Sequence, residues 1–189
     1  MATQKHSPLT YNVSQLLREE PGSRREHAFT EPTLHLHEGE ELRDIAGAAR
    51  FTRTELGVYV DATASGIVST TCMRCLQPAM VAVAVTIAEQ YRATVDVATG
   101  ASVATDHGES DDDDDAFIID ERHFLDIGLA LREYAILEMP MRPLCKPDCL
   151  GLCAGCGVDL NQESCRCSES PVDDRFAALQ ALLDRKPQQ

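Results

Sequence analysis

Ile67-Val68-Ser69-Thr70-Thr71-Cys72-Met73-Arg74-Cys75-Leu76-Gln77-Pro78-Ala79-Met80-Val81-Ala82-Val83-Ala84-Val85-Thr86-Ile87 reads as two extended segments joined by a cysteine pair. Val81, Val83, Val85 and Ile87 fall on one face, with Ala82, Ala84 and Thr86 on the other. That period of two marks a half-buried strand. Ile67 to Cys72 approaches the pair from the other side, and Pro78 lies just past it. Cys72-x-x-Cys75 is therefore expected in a tight turn between two strands, where backbone amides can donate to sulfur.

Upstream, Leu56, Val58, Val60 and Ala62 alternate as a further strand, and Ser65-Gly66 is a turn signal before Ile67. Ala28 to His37 is extended but interrupted by Pro32, which predicts an edge strand. Downstream, residues 99–116 hold Gly100, Ser102, Gly108, Ser110 and the run Asp111–Asp115, and read as an acidic flexible loop. Phe117-Ile118-Ile119 predicts a short strand. Asp126 is a helix cap, and Ile127, Ala130, Leu131, Tyr134 and Leu137 form one stripe facing a core. Pro140 and Pro143 stop that helix. Ser170-Pro171-Val172-Asp173 starts a last helix whose apolar face is Phe176, Leu179, Leu182 and Leu183.

The fold class that follows is α+β: an antiparallel β-sheet with one long helix, a cysteine-rich zinc-knuckle segment and a C-terminal helix. We expect one composite domain over 9–185: 9–98 mainly β, 99–116 the acidic loop, and 117–185 the helix plus the cysteine-rich module. At 189 residues the chain can bury a real core without cross-links.

The eight cysteines are therefore there for another reason. They fall in two groups, Cys72 and Cys75, then Cys145, Cys149, Cys153, Cys156, Cys165 and Cys167. The N-terminus has no apolar run and no segment approaches the length of a membrane span, so the expected setting is cytoplasmic, where thiols stay reduced. Reduced thiols at these spacings are ligands for a soft cation, and zinc is the expected metal, with iron left open by spacing. Two structural four-cysteine sites would use all eight. Cys153-Ala154-Gly155-Cys156-Gly157 is the strongest knuckle, because its glycines permit the tight turn. One partition groups Cys153, Cys156, Cys165 and Cys167, leaving Cys72, Cys75, Cys145 and Cys149. A rival couples the two C-x-x-C pairs as a ribbon, leaving Cys145, Cys149, Cys165 and Cys167.

Catalytic readings fare worse. Cys149-x3-Cys153-x2-Cys156 has the spacing of a radical S-adenosylmethionine motif, but only 33 residues follow it, too few for a barrel. Cys72 and Cys75 lie between strands, whereas a thioredoxin-like pair opens a helix. The histidines His6, His27, His35, His37, His107 and His123 are scattered, and read as surface groups. No catalytic triad, phosphate loop or dinucleotide fingerprint occurs. The net charge of −14 gives no general attraction for phosphates. Nine acids lie between Asp106 and Glu121 with no Lys or Arg among them.

Cys72-Met73-Arg74-Cys75-Leu76-x-Pro78, then Leu137-x-Met139-Pro140-x2-Pro143-Leu144-Cys145-x3-Cys149-x-Gly151-Leu152-Cys153-x2-Cys156-Gly157-x-Asp159-Leu160-Asn161-x3-Cys165-x-Cys167, then Asp173-x-Arg175-Phe176-x2-Leu179-x2-Leu182, resemble the YceD family of bacterial and plastid proteins, also called large ribosomal RNA subunit accumulation proteins. Asp174 stands where the family pattern has proline. The resemblance implies a role in accumulation or processing of 23S ribosomal RNA and in large-subunit biogenesis. It also implies a link to a small zinc-binding ribosomal protein. It carries no catalytic residues. The expected function is a non-enzymatic assembly factor with structural zinc. Its expected partner is the pre-ribosomal large subunit or a basic ribosomal protein, with Asp111–Asp115 as a phosphate mimic. The alternative is a metal-dependent RNA-processing enzyme or thiol redox sensor, which needs an open metal position or an exposed reactive thiol.

Overall fold

The computed structural model describes residues 9–37, 39–103, 117–165 and 167. Its chain order is β1 (Thr10–Asn12), α1 (Ser14–Leu17), β2 (Arg24–His35), β3 (Glu41–Thr54), β4 (Gly57–Thr71), β5 (Pro78–Ala93), β6 (Ile118–Ile119), β7 (Phe124–Asp126) and α2 (Gly128–Glu138). The strands β2-β3-β4-β5-β6 form one sheet in that order, and β1 pairs with β7 in a second. All neighbours are antiparallel except β5 and β6, which run parallel over Arg92–Ala93. The architecture is a mostly antiparallel sheet with few helices. The C-terminal helix and the acidic tract expected from sequence lie outside the described residues.

Alternation builds the sheet. On β4, Val58, Val60, Ala62, Ala64 and Val68 are buried while Tyr59, Asp61, Thr63 and Ser65 are exposed. Val83, Val85, Ile87 and Tyr91 of β5 face the same core. Each buried valine or isoleucine among these contributes about 1.5–3 kcal/mol by leaving water. Pro32 sits on β2, which is the edge strand it predicted.

Ser65-Gly66 is not a turn. β4 runs unbroken from Gly57 to Thr71, and Gly66 faces a bulge in β3. Arg43 pairs with Ile67 but Ala46 with Ser65, so Asp44 and Ile45 oppose one residue, and Asp44 takes a φ of 52°. A Cβ on Gly66 would lie 2.8 Å from Leu42 Cδ1 and 3.0 Å from the Arg43 carbonyl oxygen. The glycine is there for close approach, which is a second use of this residue in strands.

Helix α2 bridges the two sides of the sheet. Tyr134 donates to Glu89 of β5 at 2.6 Å, and Arg132 Nε donates to the His35 carbonyl of β2 at 2.9 Å. The Asp126 carboxylate accepts from the Gly128 N–H at 2.7 Å, but Asp126 ends β7 and the cap position falls one residue later, on Ile127, with no side chain capping it. Ile127, Ala130, Leu131 and Ala135 are buried, but Leu137 is 77% exposed. At 3.6 residues per turn, position 137 has rotated past the edge of the buried arc, and Ala135 takes its place. Among the described residues, no helix is long and apolar enough to cross a membrane.

Candidate metal centre

The β4–β5 turn and the loop after α2 meet at one end of the sheet. Cys72, Cys75, Ala79 and Cys149 form a small buried cluster of their own, with Leu144 packed against it. Cys145 lies beside them at the surface. Backbone bonds hold the two segments together: Met73 N–H donates to the Pro143 carbonyl at 2.9 Å, and Leu152 N–H to the Arg74 carbonyl at 3.0 Å. The Arg74 guanidinium donates to the Cys149 carbonyl at 2.8 Å. Gly151, at φ 79°, leaves room for that crossing, since a Cβ would sit 3.0 Å from the Arg74 oxygen.

The two C-x-x-C turns share one design. Cys72 N–H donates to the Gln77 carbonyl and Leu76 N–H to the Cys72 carbonyl. Cys153 N–H donates to the Val158 carbonyl and Gly157 N–H to the Cys153 carbonyl, at the same offsets. Each turn closes on a left-handed residue, Leu76 at φ 58° and Gly157 at φ 74°. Glycine was legible as the reason for the second turn. The leucine in the first gave no such signal.

The cysteines gather in two sets of four, Cys72 with Cys75, Cys145 and Cys149, and Cys153 with Cys156, Cys165 and Cys167. Within each set all four sulfurs lie within 4.8 Å of one another. Cys72 and Cys149 Sγ are 3.8 Å apart, Cys75 and Cys145 Sγ 3.6 Å. In the second set Cys153 is 3.2 Å from Cys165 and 3.9 Å from Cys167, and Cys156 is 3.9 Å from Cys165. A disulfide needs about 2.05 Å. Four thiolates about 2.3 Å from a central ion lie about 3.8 Å from each other in a tetrahedron. The sulfurs therefore fit a tetrahedral thiophilic cation, and the ribbon pairing of the two C-x-x-C turns is not the one adopted.

Sulfur chemistry inside each set is asymmetric. The Cys72 thiol is lowered from 9.0 to about 6, first by the Cys75 backbone N–H, with further donation from the Cys145 and Arg74 backbones, against burial. Cys153 is likewise lowered to about 6, first by the Cys156 N–H, then by the Cys165 side chain and the Gly155 N–H. Cys145 is pushed up to about 12, first by its hydrogen bond with Cys75 and then by burial. Cys167 is pushed up to about 12 by Cys156, Cys165 and Cys153 in that order. One sulfur in each set ionises readily, and hydrogen bonds among the crowded sulfurs hold the last proton. A dication relieves that crowding, so metal uptake releases protons.

Sequence reasoning missed Asn161 and Arg74 as working parts. Asn161 Nδ2 donates to Cys149 Sγ at 3.4 Å while its Oδ1 accepts from the Leu150 N–H at 2.9 Å. The only sequence sign of either was a place in the family pattern. The histidines are also better placed than expected: His27 packs at 5.0 Å from Tyr11 and 5.1 Å from Phe51, and His123 Nδ1 is buried with no hydrogen-bond partner among the described residues.

The sheet and the paired clusters define a class: a β-rich domain with two four-cysteine sites competent to hold metal. Residues 60–183 match the family described as large ribosomal RNA subunit accumulation protein YceD. The chain belongs to the YceD family. Proteins described only as uncharacterized, from Mycobacterium tuberculosis (strain ATCC 25618 / H37Rv) and Mycobacterium bovis, are 32% identical over 190 residues, which cover 95% of this chain and 84% of theirs. The chloroplastic large ribosomal RNA subunit accumulation protein YCED homolog 1 of Arabidopsis thaliana is 29% identical over 75 residues, 36% of this chain and 23% of that protein. No solved structure matches the chain.

Proposed function

We propose that this protein is a non-enzymatic factor that supports 23S ribosomal RNA accumulation or processing during large-subunit assembly. Two zinc ions, one per cysteine set, would act as structural braces, and Cys72, Cys75, Cys145, Cys149, Cys153, Cys156, Cys165 and Cys167 would be their ligands. Residues 9–185 then work as one composite domain, because the first set ties the β4–β5 turn to the loop after α2. The family description supports a role in large-subunit RNA accumulation. The observation that supports the non-enzymatic reading is the grouping of the eight sulfurs into two sets of four, each within 4.8 Å, which would fill two tetrahedral sites, whereas catalytic zinc keeps a position open to water. An RNA-processing metalloenzyme needs that open position.

Charge narrows the partner. A chain at −14 gains little from bare RNA and much from a basic ribosomal protein, or from a pre-ribosomal particle that presents one. This reading places the protein in the cytoplasm. The test is affinity capture of the full chain from cells at two salt concentrations, with RNA sequencing and mass spectrometry of what is retained. Large-subunit proteins and 23S precursors, lost together at high salt, support the proposal. Retention of neither at low salt contradicts it.

A further inference from the structure

The geometry points to Asn161 as a positioning residue that couples the two cysteine sets, so that an ordered second set holds a ligand of the first. The inference rests on the reading of both sets as metal sites. Asn161 lies on the loop between Cys156 and Cys165, both members of the second set. Its side chain nevertheless works on the first set, through Nδ2 to Cys149 Sγ at 3.4 Å. Cys149 is 1% exposed, so that sulfur has little access to water, and beside the Cys72 thiol at 3.8 Å the Asn161 amide is a donor that reaches it from the second set's loop.

The orientation of the amide is fixed from both ends. Nδ2 also donates to Asp159 Oδ1 at 2.7 Å, and Oδ1 accepts from the Leu150 N–H at 2.9 Å. A flipped amide would face oxygen with oxygen at one end and N–H with N–H at the other. Asp159 is itself held, accepting from the Asn161 N–H at 2.9 Å and from Gln162 Nε2 at 3.1 Å. The loop is registered on the first set's chain by Leu160 N–H to the Gly151 carbonyl at 2.9 Å and by the bridge between Leu152 and Asp159.

Both ends of the loop that presents Asn161 are therefore cysteines of the second set. With those sulfurs gathered, the loop ends are pinned and the amide stays on Cys149. With them released, the loop gains freedom and the donor is withdrawn. Exposure differs in the direction this coupling requires. Three of the first set's cysteines, Cys72, Cys75 and Cys149, are buried and Cys145 is exposed, whereas in the second set Cys156, Cys165 and Cys167 are exposed and Cys153 is half-buried. Chelators and oxidants reach the second set first, and the first set feels the loss through Asn161. A donor to a ligating atom, of the kind that typically changes metal affinity 10–100-fold, is what a coupling of this size needs.

The test is a double-mutant cycle on zinc affinity, measured by chelator competition on the full chain, with cobalt–thiolate absorption as a second readout. Asn161→Leu removes the donor. Asn161→Asp keeps the shape but replaces the donor with an acceptor. Both should weaken zinc at the first set 10–100-fold and shift its cobalt charge-transfer band, while second-set affinity changes less than about twofold. Cys165→Ser should weaken the first set in the wild-type background and add nothing in the Asn161→Leu background. First-set affinity unmoved by both Asn161 variants, with two zinc ions still bound, overturns the relay alone. A wild-type chain that takes up no zinc overturns the metal reading and the relay with it. Far-ultraviolet circular dichroism of each variant separates lost ligation from lost fold.

Discussion

Arg74 and Cys149 are bound across 75 residues of sequence: the guanidinium of one donates to the carbonyl of the other at 2.8 Å. Arg74 sits inside the first C-x-x-C turn, so its own carbonyl and side chain both grip the segment that brings Cys149. Truncation leaves the turn intact but loosens that segment. Arg74→Ala should lower the stability of the metal-loaded protein by about 1–2 kcal/mol, the range for a charge-assisted hydrogen bond that is partly exposed. Urea denaturation checks this, and an unchanged midpoint would show the contact to be idle.

Leu76 closes the first turn at φ 58° with its side chain 63% exposed, where the second turn uses Gly157. A left-handed leucine costs about 1–2 kcal/mol, and glycine returns about half of that gain through its greater freedom in the unfolded chain. Leu76→Gly should therefore stabilise the protein by about 0.5–1 kcal/mol, with little packing lost. Leu76→Val should destabilise it, since a β-branched residue suits that region least. The pair is compared by thermal melting at fixed zinc.

Proton linkage follows from the sulfurs. In the metal-free protein, Cys72 and Cys153 fall from 9.0 to about 6 on folding. Their stabilisation is fully present above pH 9 and is lost as pH falls through about 6. Cys145 and Cys167, raised to about 12, contribute in the opposite sense, present below pH 9 and lost as pH rises toward 12. Thiolate absorbance of the reduced, chelator-treated protein should show a step near pH 6 worth two thiolates. The Cys72→Ser, Cys153→Ser double variant should lack it. A single rise near pH 9 in the wild type is the opposing result.

The legible strands were Val58 to Ala62 and Val81 to Ile87, whose alternation is undisturbed, the edge strand that Pro32 marks within Ala28 to His37, and the short apolar pair Ile118–Ile119. β3 was invisible for a physical reason. Its buried positions, Leu42, Ile45, Ala49 and Phe51, fall out of step because the bulge at Asp44 inserts a residue, and Arg43, Arg50 and Arg53 lend it the look of a loop. The same bulge turned Gly66 into a false turn signal. At the clusters, residue type announced the chemistry and spacing left two pairings open. Three-dimensional closure of the β4–β5 turn onto the Pro143–Leu152 segment chooses between them, and no local pattern encodes that closure.

The Asp111–Asp115 tract lies outside the described residues, and its role is read from charge alone. Five adjacent carboxylates favour a basic partner most at low ionic strength, where screening is weak. Replacing all five with asparagine should weaken capture of basic ribosomal proteins several-fold at low salt and change little at high salt. Equal capture at both salts removes the tract from the mechanism.

Two closed metal sites with the pairing seen in the fold give double cysteine variants distinct metal counts. The measurement is native mass spectrometry at zinc well above both dissociation constants. The Cys72→Ser, Cys145→Ser variant breaks one set twice and should keep one zinc ion. The Cys72→Ser, Cys153→Ser variant breaks both sets and should keep none. One ion retained in the second variant and none in the first would rule out this pairing, because it is the outcome that the ribbon pairing requires.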